Sequence, residues 1–190
     1  MAVVTISRQY GTGGITMARH LAEKLGYRFV FREELGQGCR ARGLDIDLDR
    51  IEGRPPRFFE RVFGLGREDL RKNLREVMEE AARSGGAVIG GWGGQVLLKD
   101  RKDALHVRVV GSDEARILHL VDTAGVTRSA AEEIIRRADR DQRLFSEYFF
   151  EADFANPKLY HAVLNVEQLS AEDMMEMIMA MLAEVERVPS

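Results

Sequence analysis

Cysteine is nearly absent from this chain. Cys39 is the only one in 190 residues, so no internal disulfide can form and no thiolate cluster can hold zinc. That usage fits a reducing interior, and Cys39 itself reads as an incidental small residue. Long apolar runs are missing too: none reaches the roughly 18 residues of a membrane span, and the amino terminus lacks the basic-then-apolar order of a secretion signal. A cytoplasmic protein without membrane partners is expected. Neither sign of charge dominates. Lys and Arg number 28 against 31 Asp and Glu, a formal net charge of -3, so no general basic field recruits nucleic acid and any anion site must be local. His20, His106, His119 and His161 are scattered, with His106 and His161 expected in buried strands, which argues against a metal hydrolase. No GxSxG elbow is present for serine catalysis.

What the sequence does hold starts at its amino terminus. The apolar run Val3-Val4-Thr5-Ile6 drives into Ser7-Arg8-Gln9-Tyr10-Gly11-Thr12-Gly13-Gly14-Ile15-Thr16, and a helical pattern follows at once. Strand, glycine-rich turn and helix in that order aim backbone N–H groups at phosphate. Gly11, Gly13 and Gly14 let the main chain curl tightly and approach an anion, while the first amides of the helix add partial positive charge. This stretch is the candidate cradle for a nucleotide's phosphates. Its usual point charge is missing, because in GxxxxGK(S/T) the lysine would fall at Gly14 and the first glycine at Arg8.

Five segments rich in β-branched and apolar residues read as buried strands: Val3 to Ser7, Tyr27 to Phe31, Ala87 to Gly90, Leu105 to Val110 and His161 to Asn165. They are continuous rather than alternating, the mark of a parallel sheet covered on both faces. Ala18, Leu21, Ala22 and Leu25 predict a helix from about Gly13 to Leu25, ended by Gly26. Leu70, Leu74, Val77, Met78 and Ala81 predict another, closed by Ser84-Gly85-Gly86, and a last one begins near Ser170 with Met174, Ile178, Met181, Leu182 and Val185 inward. Met174, Met175, Met177, Met179 and Met181 read as core filler rather than a soft-metal surface. Residues 36–66, broken by glycine and proline, read as a mobile lobe over a site. Within them Asp45, Asp47 and Asp49 lack the glycine and closing glutamate of a calcium loop. Alternating strands and helices give the α/β class, one three-layer domain over 1–190, with sites at the carboxyl ends of the strands.

A second charged constellation lies further on. Ser129 and Glu132 form a capping box that starts a helix, whose distal part reads Arg136-Arg137-Ala138-Asp139-Arg140-Asp141-Gln142-Arg143. Alternating charges describe a solvated face. Arginine forks also bind phosphate bidentately, so beside a phosphate-cradling turn Arg136, Arg137, Arg140 and Arg143 are read as groups that close over a transferring phosphoryl. Asn165, at the end of the last strand, either touches a base or caps the next loop.

Three stretches carry a family resemblance: Val4 to Gly14; Val88-Ile89-Gly90-Gly91-Trp92-Gly93-Gly94-Gln95 leading to Leu105-His106-Val107-Arg108; and Leu159-Tyr160-His161-Ala162-Val163-Leu164-Asn165. In this order, over almost the whole chain, they resemble the cytidylate-kinase-like branch of the nucleoside monophosphate kinases. The resemblance implies a P-loop fold with a five-stranded parallel sheet flanked by helices, ATP and Mg2+ at the glycine-rich turn, a monophosphate-binding lobe at about 32–84 and an arginine-bearing lid at about 127–157. It also implies transfer of the γ-phosphoryl of ATP to a nucleoside monophosphate or a similar phosphorylated acceptor. Arg8 is, by position, the replacement charge. Thr16 matches the threonine after the lysine-glycine pair of monophosphate kinases, which makes it a phosphate or magnesium-shell ligand. Arg32, Glu33, Gly91, Trp92, Gly93 and Gln95 fall on the acceptor side. Two departures strike that side: Phe31 stands where the family has an aspartate, and Gly91-Trp92-Gly93 replaces glycine-arginine-glycine. Tryptophan stacks or donates one N–H where arginine would hold a phosphate. Arg32, Glu33 and Arg108 are read as compensating groups on that side. The readings this leaves are an active kinase, a catalytically weak or inactive nucleotide-binding or sensory protein, and a scaffold that keeps only the fold; a homodimer is also open.

Overall fold

A computed structural model describes residues 2–44, 48 and 66–187. Five strands, β1 (Val3–Arg8), β2 (Arg28–Val30), β3 (Ala87–Gly90), β4 (Ala104–Val110) and β5 (Ala162–Asn165), pair in parallel in the order β2-β3-β1-β4-β5. Seven helices are described: α1 (Gly14–Leu25), α2 (Arg32–Ala41), α3 (Arg67–Arg83), α4 (Gly94–Leu97), α5 (Asp113–Ala124), α6 (Arg128–Phe150) and α7 (Ala171–Arg187). Register puts Val3 opposite Ala87 and Ala104, so β1, β3 and β4 begin level and their carboxyl ends lie along one edge of the parallel sheet.

Alternate strand residues feed two cores. On one face Val3 and Ile89 pack with Leu35, Leu70, Leu74, Met78, Phe149 and Phe150 from α2, α3 and α6. On the other, Val4, Ile6, Val88 and Val107 pack with Met17 and Leu21 of α1 and Met174, Met175, Ile178 and Leu182 of α7. The methionine-rich helix is therefore core filler, with Met177 turned outward. Ile117, Leu120, Ala131 and Ile135 form a smaller seam between α5 and α6.

Several boundaries differ from the sequence reading. β2 stops at Val30 because Phe31 is the residue before α2, its N–H held by the Glu34 carboxylate at 3.2 Å. α2 carries Gly36 and Gly38 in its interior, which hid it. At Gly38 a Cβ would sit 2.6 Å from Val77 Cγ2, so the glycine allows close approach to α3. α6 is capped two residues earlier than Ser129: Thr127 Oγ1 accepts from Ala130 N–H at 3.3 Å. His161 precedes β5 and is exposed rather than buried. The Asp45, Asp47 and Asp49 triplet, with most of the lobe, lies outside the described residues. Among the described residues no helix is long and apolar enough to cross a membrane.

Candidate active site

The glycine-rich turn is built by its own side chains. Thr12 Oγ1 donates to Gln9 O at 2.9 Å and accepts from Gly14 N–H at 3.3 Å, while Gln9 Oε1 accepts from Gly111 N–H at 3.0 Å. Gly11 and Gly13 sit at φ 83 and 70, where a side chain is strained, and a Cβ on Gly11 would press within 3.1 Å of Arg116. Thr16 is exposed on the first turn of α1, and Ile15 is half-buried beside Gly90.

At Gly14 the missing lysine has a steric explanation. A Cβ there would lie 3.0 Å from Arg8 Cβ and 3.4 Å from Arg8 Cγ, so the Arg8 stem runs through the space a residue-14 side chain would use to leave the backbone. The Arg8 guanidinium then passes Gly91, whose absent Cβ would fall 2.5 Å from Nη1, and lies 5.6 Å above the Phe31 ring. Arg32 approaches the same ring at 5.1 Å. Phe31 thus gathers two guanidiniums.

A hollow of about 510 Å³ opens beside this arrangement. Arg8, Arg32 and Arg137 bring three guanidiniums to its wall, Asp141 is the sole carboxylate among the described lining residues, and Trp92, Ile134, Phe145 and Phe154 supply an apolar side. Ser7, Tyr10, Gly91 and Gln142 complete the lining with Ala138, and Gln142 Nε2 donates to Arg8 O at 3.0 Å, laying α6 over the end of β1. Gly91, Trp92 and Gly93 turn the chain with φ 72, 55 and 72 in succession. Gly93 is required because a Cβ would meet Phe150 Cε1 at 2.3 Å.

The four arginines of α6 do not converge. Arg137 faces the hollow with Ile134 and Asp141, its neighbours at i−3 and i+4. Arg136, Arg140 and Arg143 instead line a second, more open hollow of about 670 Å³ with Asp113, Glu132 and Asp139. Helical geometry divides them, since 136, 140 and 143 recur at i, i+4, i+7. Glu33 is exposed on α2 and accepts from Gln37 Nε2 at 3.4 Å. Gln95 is buried behind the hollow and donates to Tyr160 Oη at 3.3 Å. Asn165 Oδ1 accepts from Glu167 N–H at 3.0 Å, so it caps the loop after β5.

Two buried arginines build the site's frame: Arg116, which the sequence reading did not single out, and Arg108, which it named beside Arg32 and Glu33 as a compensating acceptor-side group. Arg116, 1% exposed, gives a two-pronged ion pair to Asp139 at 2.9 and 2.8 Å, reaches Asp113 at 2.5 Å and donates to Tyr10 O at 3.2 Å. It ties α5 and α6 to the glycine-rich turn. Arg108, 6% exposed, donates to Ser7 Oγ at 2.8 Å and to Tyr160 Oη at 3.4 Å. Tyr160 donates in turn to Phe154 O at 2.8 Å, and no carboxylate among the described residues pairs with Arg108. Two residues earlier on β4, His106 is pushed down to about 4 by burial and by the neighbouring His161; its Nδ1 lies 2.8 Å from Thr5 Oγ1.

Comparisons with known proteins agree with this architecture. The chain is 26% identical over 178 residues to the cytidylate kinase of Methanocorpusculum labreanum, covering 92% of this chain and 93% of that one. An uncharacterized protein from Eubacterium ventriosum superposes with a TM-score of 0.73 at 15% identity, covering 96% and 99% of the two chains. Shikimate kinase from Bacteroides thetaiotaomicron (TM-score 0.55, 13% identity, 96% and 98% covered) and a gluconokinase from Sinorhizobium meliloti (0.56, 15%, 97% and 93%) share the fold. The sheet and its flanking helices are thus those of the P-loop kinases. With residues 3–168 matching its family model, the chain belongs to the cytidylate kinase-like family.

Proposed function

We propose that this protein transfers the γ-phosphoryl group of ATP to a small acceptor that already carries an oxyanion, a nucleoside monophosphate before others. The charge of the Trp92-lined hollow carries this reading: three guanidiniums against a single carboxylate among its described lining residues. An alcohol acceptor must lose a proton during attack, which calls for a well-placed base. The described carboxylate there, Asp141, stands 3.5 Å from both Arg137 and Arg140 and so serves as their charge partner. A phosphate monoester, with its second pKa near 6, arrives ionised and needs clamping rather than deprotonation.

In this reading the ATP phosphates lie on the amides of Gly11 to Thr16, and Arg8, whose stem fills the place of a residue-14 side chain, reaches the terminal phosphates. Magnesium, which neutralises phosphate charge when bound, would be held by the Thr16 hydroxyl together with nucleotide oxygens and water; the exposed first-turn position of Thr16 suits such a shell. The described helices α2 and α3 serve as the acceptor lobe and α6 as the lid. Arg137 faces the reacting end; Arg136, Arg140 and Arg143 join only if α6 rotates on closure.

Measuring ADP release with magnesium across nucleoside monophosphates and neutral polyols tests the reading. Turnover is expected only with phosphate-bearing acceptors, and Arg8→Ala is expected to weaken ATP far more than Arg83→Ala. Turnover on a neutral polyol overturns it. Phe31 and Trp92, which stand where the family resemblance places an aspartate and an arginine, favour a second reading, a nucleotide-binding protein without turnover. Saturable ATP binding with no product from any acceptor would establish that one instead.

A further inference from the structure

Trp92 is the only tryptophan in the chain, is 5% exposed and borders the hollow of about 510 Å³. Its backbone is held at φ 55 between two left-handed glycines, a conformation that bulky residues keep only where the surroundings impose it. Its ring is fixed edge-on to Phe145, with centroids 5.4 Å apart and planes at 84°. Its indole N–H, which can only donate, meets no acceptor among the described residues. The hollow is the open space beside it.

Resting on the phosphoryl-transfer reading above, we propose that Trp92 selects the acceptor molecule. Its N–H donates to an uncharged atom, a carbonyl oxygen or ring nitrogen, of a planar ring seated among Trp92, Phe145 and Phe154, while the guanidiniums of the same hollow take the oxyanion. The aromatic contacts separate these roles. Trp92 packs with Phe145, whereas Arg8 and Arg32 sit on Phe31. A fork of charge at position 92 would favour a second anionic group; a neutral single donor favours one hydrogen bond to a ring and penalises any occupant that leaves it desolvated and unpaired.

Because no other tryptophan contributes, the intrinsic emission of the wild-type protein reads this site. Cytidine, uridine, adenosine and guanosine monophosphates are titrated beside ribose 5-phosphate, which carries the same anion without the ring. At least one nucleotide is expected to change the emission, and ribose 5-phosphate is not. By calorimetry, Trp92→Phe is expected to weaken that nucleotide about three- to tenfold, the scale of one hydrogen bond, with ATP and ribose 5-phosphate unchanged. Equal weakening of nucleotide and ribose 5-phosphate would assign the N–H to the oxyanion and overturn the proposal, as would unchanged nucleotide affinity. If Trp92→Phe fails to fold, equal emission changes with both compounds in the wild type overturn it. Binding of ATP but of no acceptor overturns this proposal alone; absence of ATP binding as well overturns the functional reading beneath it.

Discussion

The α5–α6 seam and the floor beneath the Trp92-lined hollow each bury an arginine, and they treat its charge in opposite ways. At the seam, Arg116 meets Asp139 with both prongs and Asp113 besides, and these hydrogen bonds outweigh the burial that opposes its charge, holding its pKa above the usual range. On the floor, Arg108 donates to the Ser7 and Tyr160 hydroxyls and lies 5.7 Å from the Tyr160 ring centroid, with no carboxylate partner among the described residues. His106, on the same strand and the same side as Arg108, solves burial by staying neutral. Arginine has no such escape. A guanidinium kept charged and without a described carboxylate partner is costly for folding, so under the proposed function the contrast assigns structure to the seam and anion attraction to the floor.

The largest expected effect comes from the neutral histidine. Its folded pKa is depressed to about 4 from the ordinary 6.5, so between these values the unfolded chain takes up a proton that the folded one refuses. Stability is complete above about pH 6.5 and falls as pH drops toward 4, by up to ~3 kcal/mol. Urea midpoints at pH 7.5 and 4.5 should diverge in the wild type and much less in His106→Gln; equal divergence would show that another group governs the acid limb. Next is Arg116→Met, expected to cost about 2–3 kcal/mol, since it strands Asp139 and unties α6 from the turn. Arg108→Met is expected to move stability by less than about 1 kcal/mol while weakening pyrophosphate about tenfold, the loss of one nearby charge. Denaturation and calorimetry on both variants break the comparison if Arg108→Met destabilises as much as Arg116→Met.

Most of the fold could be read from local pattern, because the five strands are continuous apolar runs and their ends are marked by glycine or polar residues. The glycine-rich turn was legible for the same reason: its information is local. The helix at Asp113–Ala124 was missed although Ser112, Asp113, Glu114 and Gly125 are start and stop signals in plain view. The division of the α6 arginines was also latent in the sequence, since a period of 3.6 separates Arg137 from Arg136, Arg140 and Arg143. Other features were not legible. Arg116 with Asp139, Arg108 with Ser7, and the Arg8 stem crossing Gly14 join residues that only the folded sheet brings together, and no spacing rule announces them.

Phe31 offers the smallest and most selective test of how the arginines beside the Trp92-lined hollow are held. An aspartate there would add a carboxylate next to Arg8 and Arg32; the ring instead holds the same two guanidiniums at 5.6 and 5.1 Å without adding a negative charge. Phe31→Leu keeps an apolar side chain beside Ile15 and Gly90 and removes the ring face, worth about 0.5–1 kcal/mol for a cation at a partly exposed site. Pyrophosphate affinity should therefore fall about two- to fivefold in Phe31→Leu and further in Phe31→Asp, where the new carboxylate competes for both arginines. Calorimetry at two salt concentrations separates the causes, since competition by a carboxylate adds to the salt dependence and loss of the ring does not. Equal affinity in wild type and Phe31→Leu would mean that the ring gathers the arginines without serving the ligand, and that Arg8, Arg32 and Arg137 attract the anion without its help.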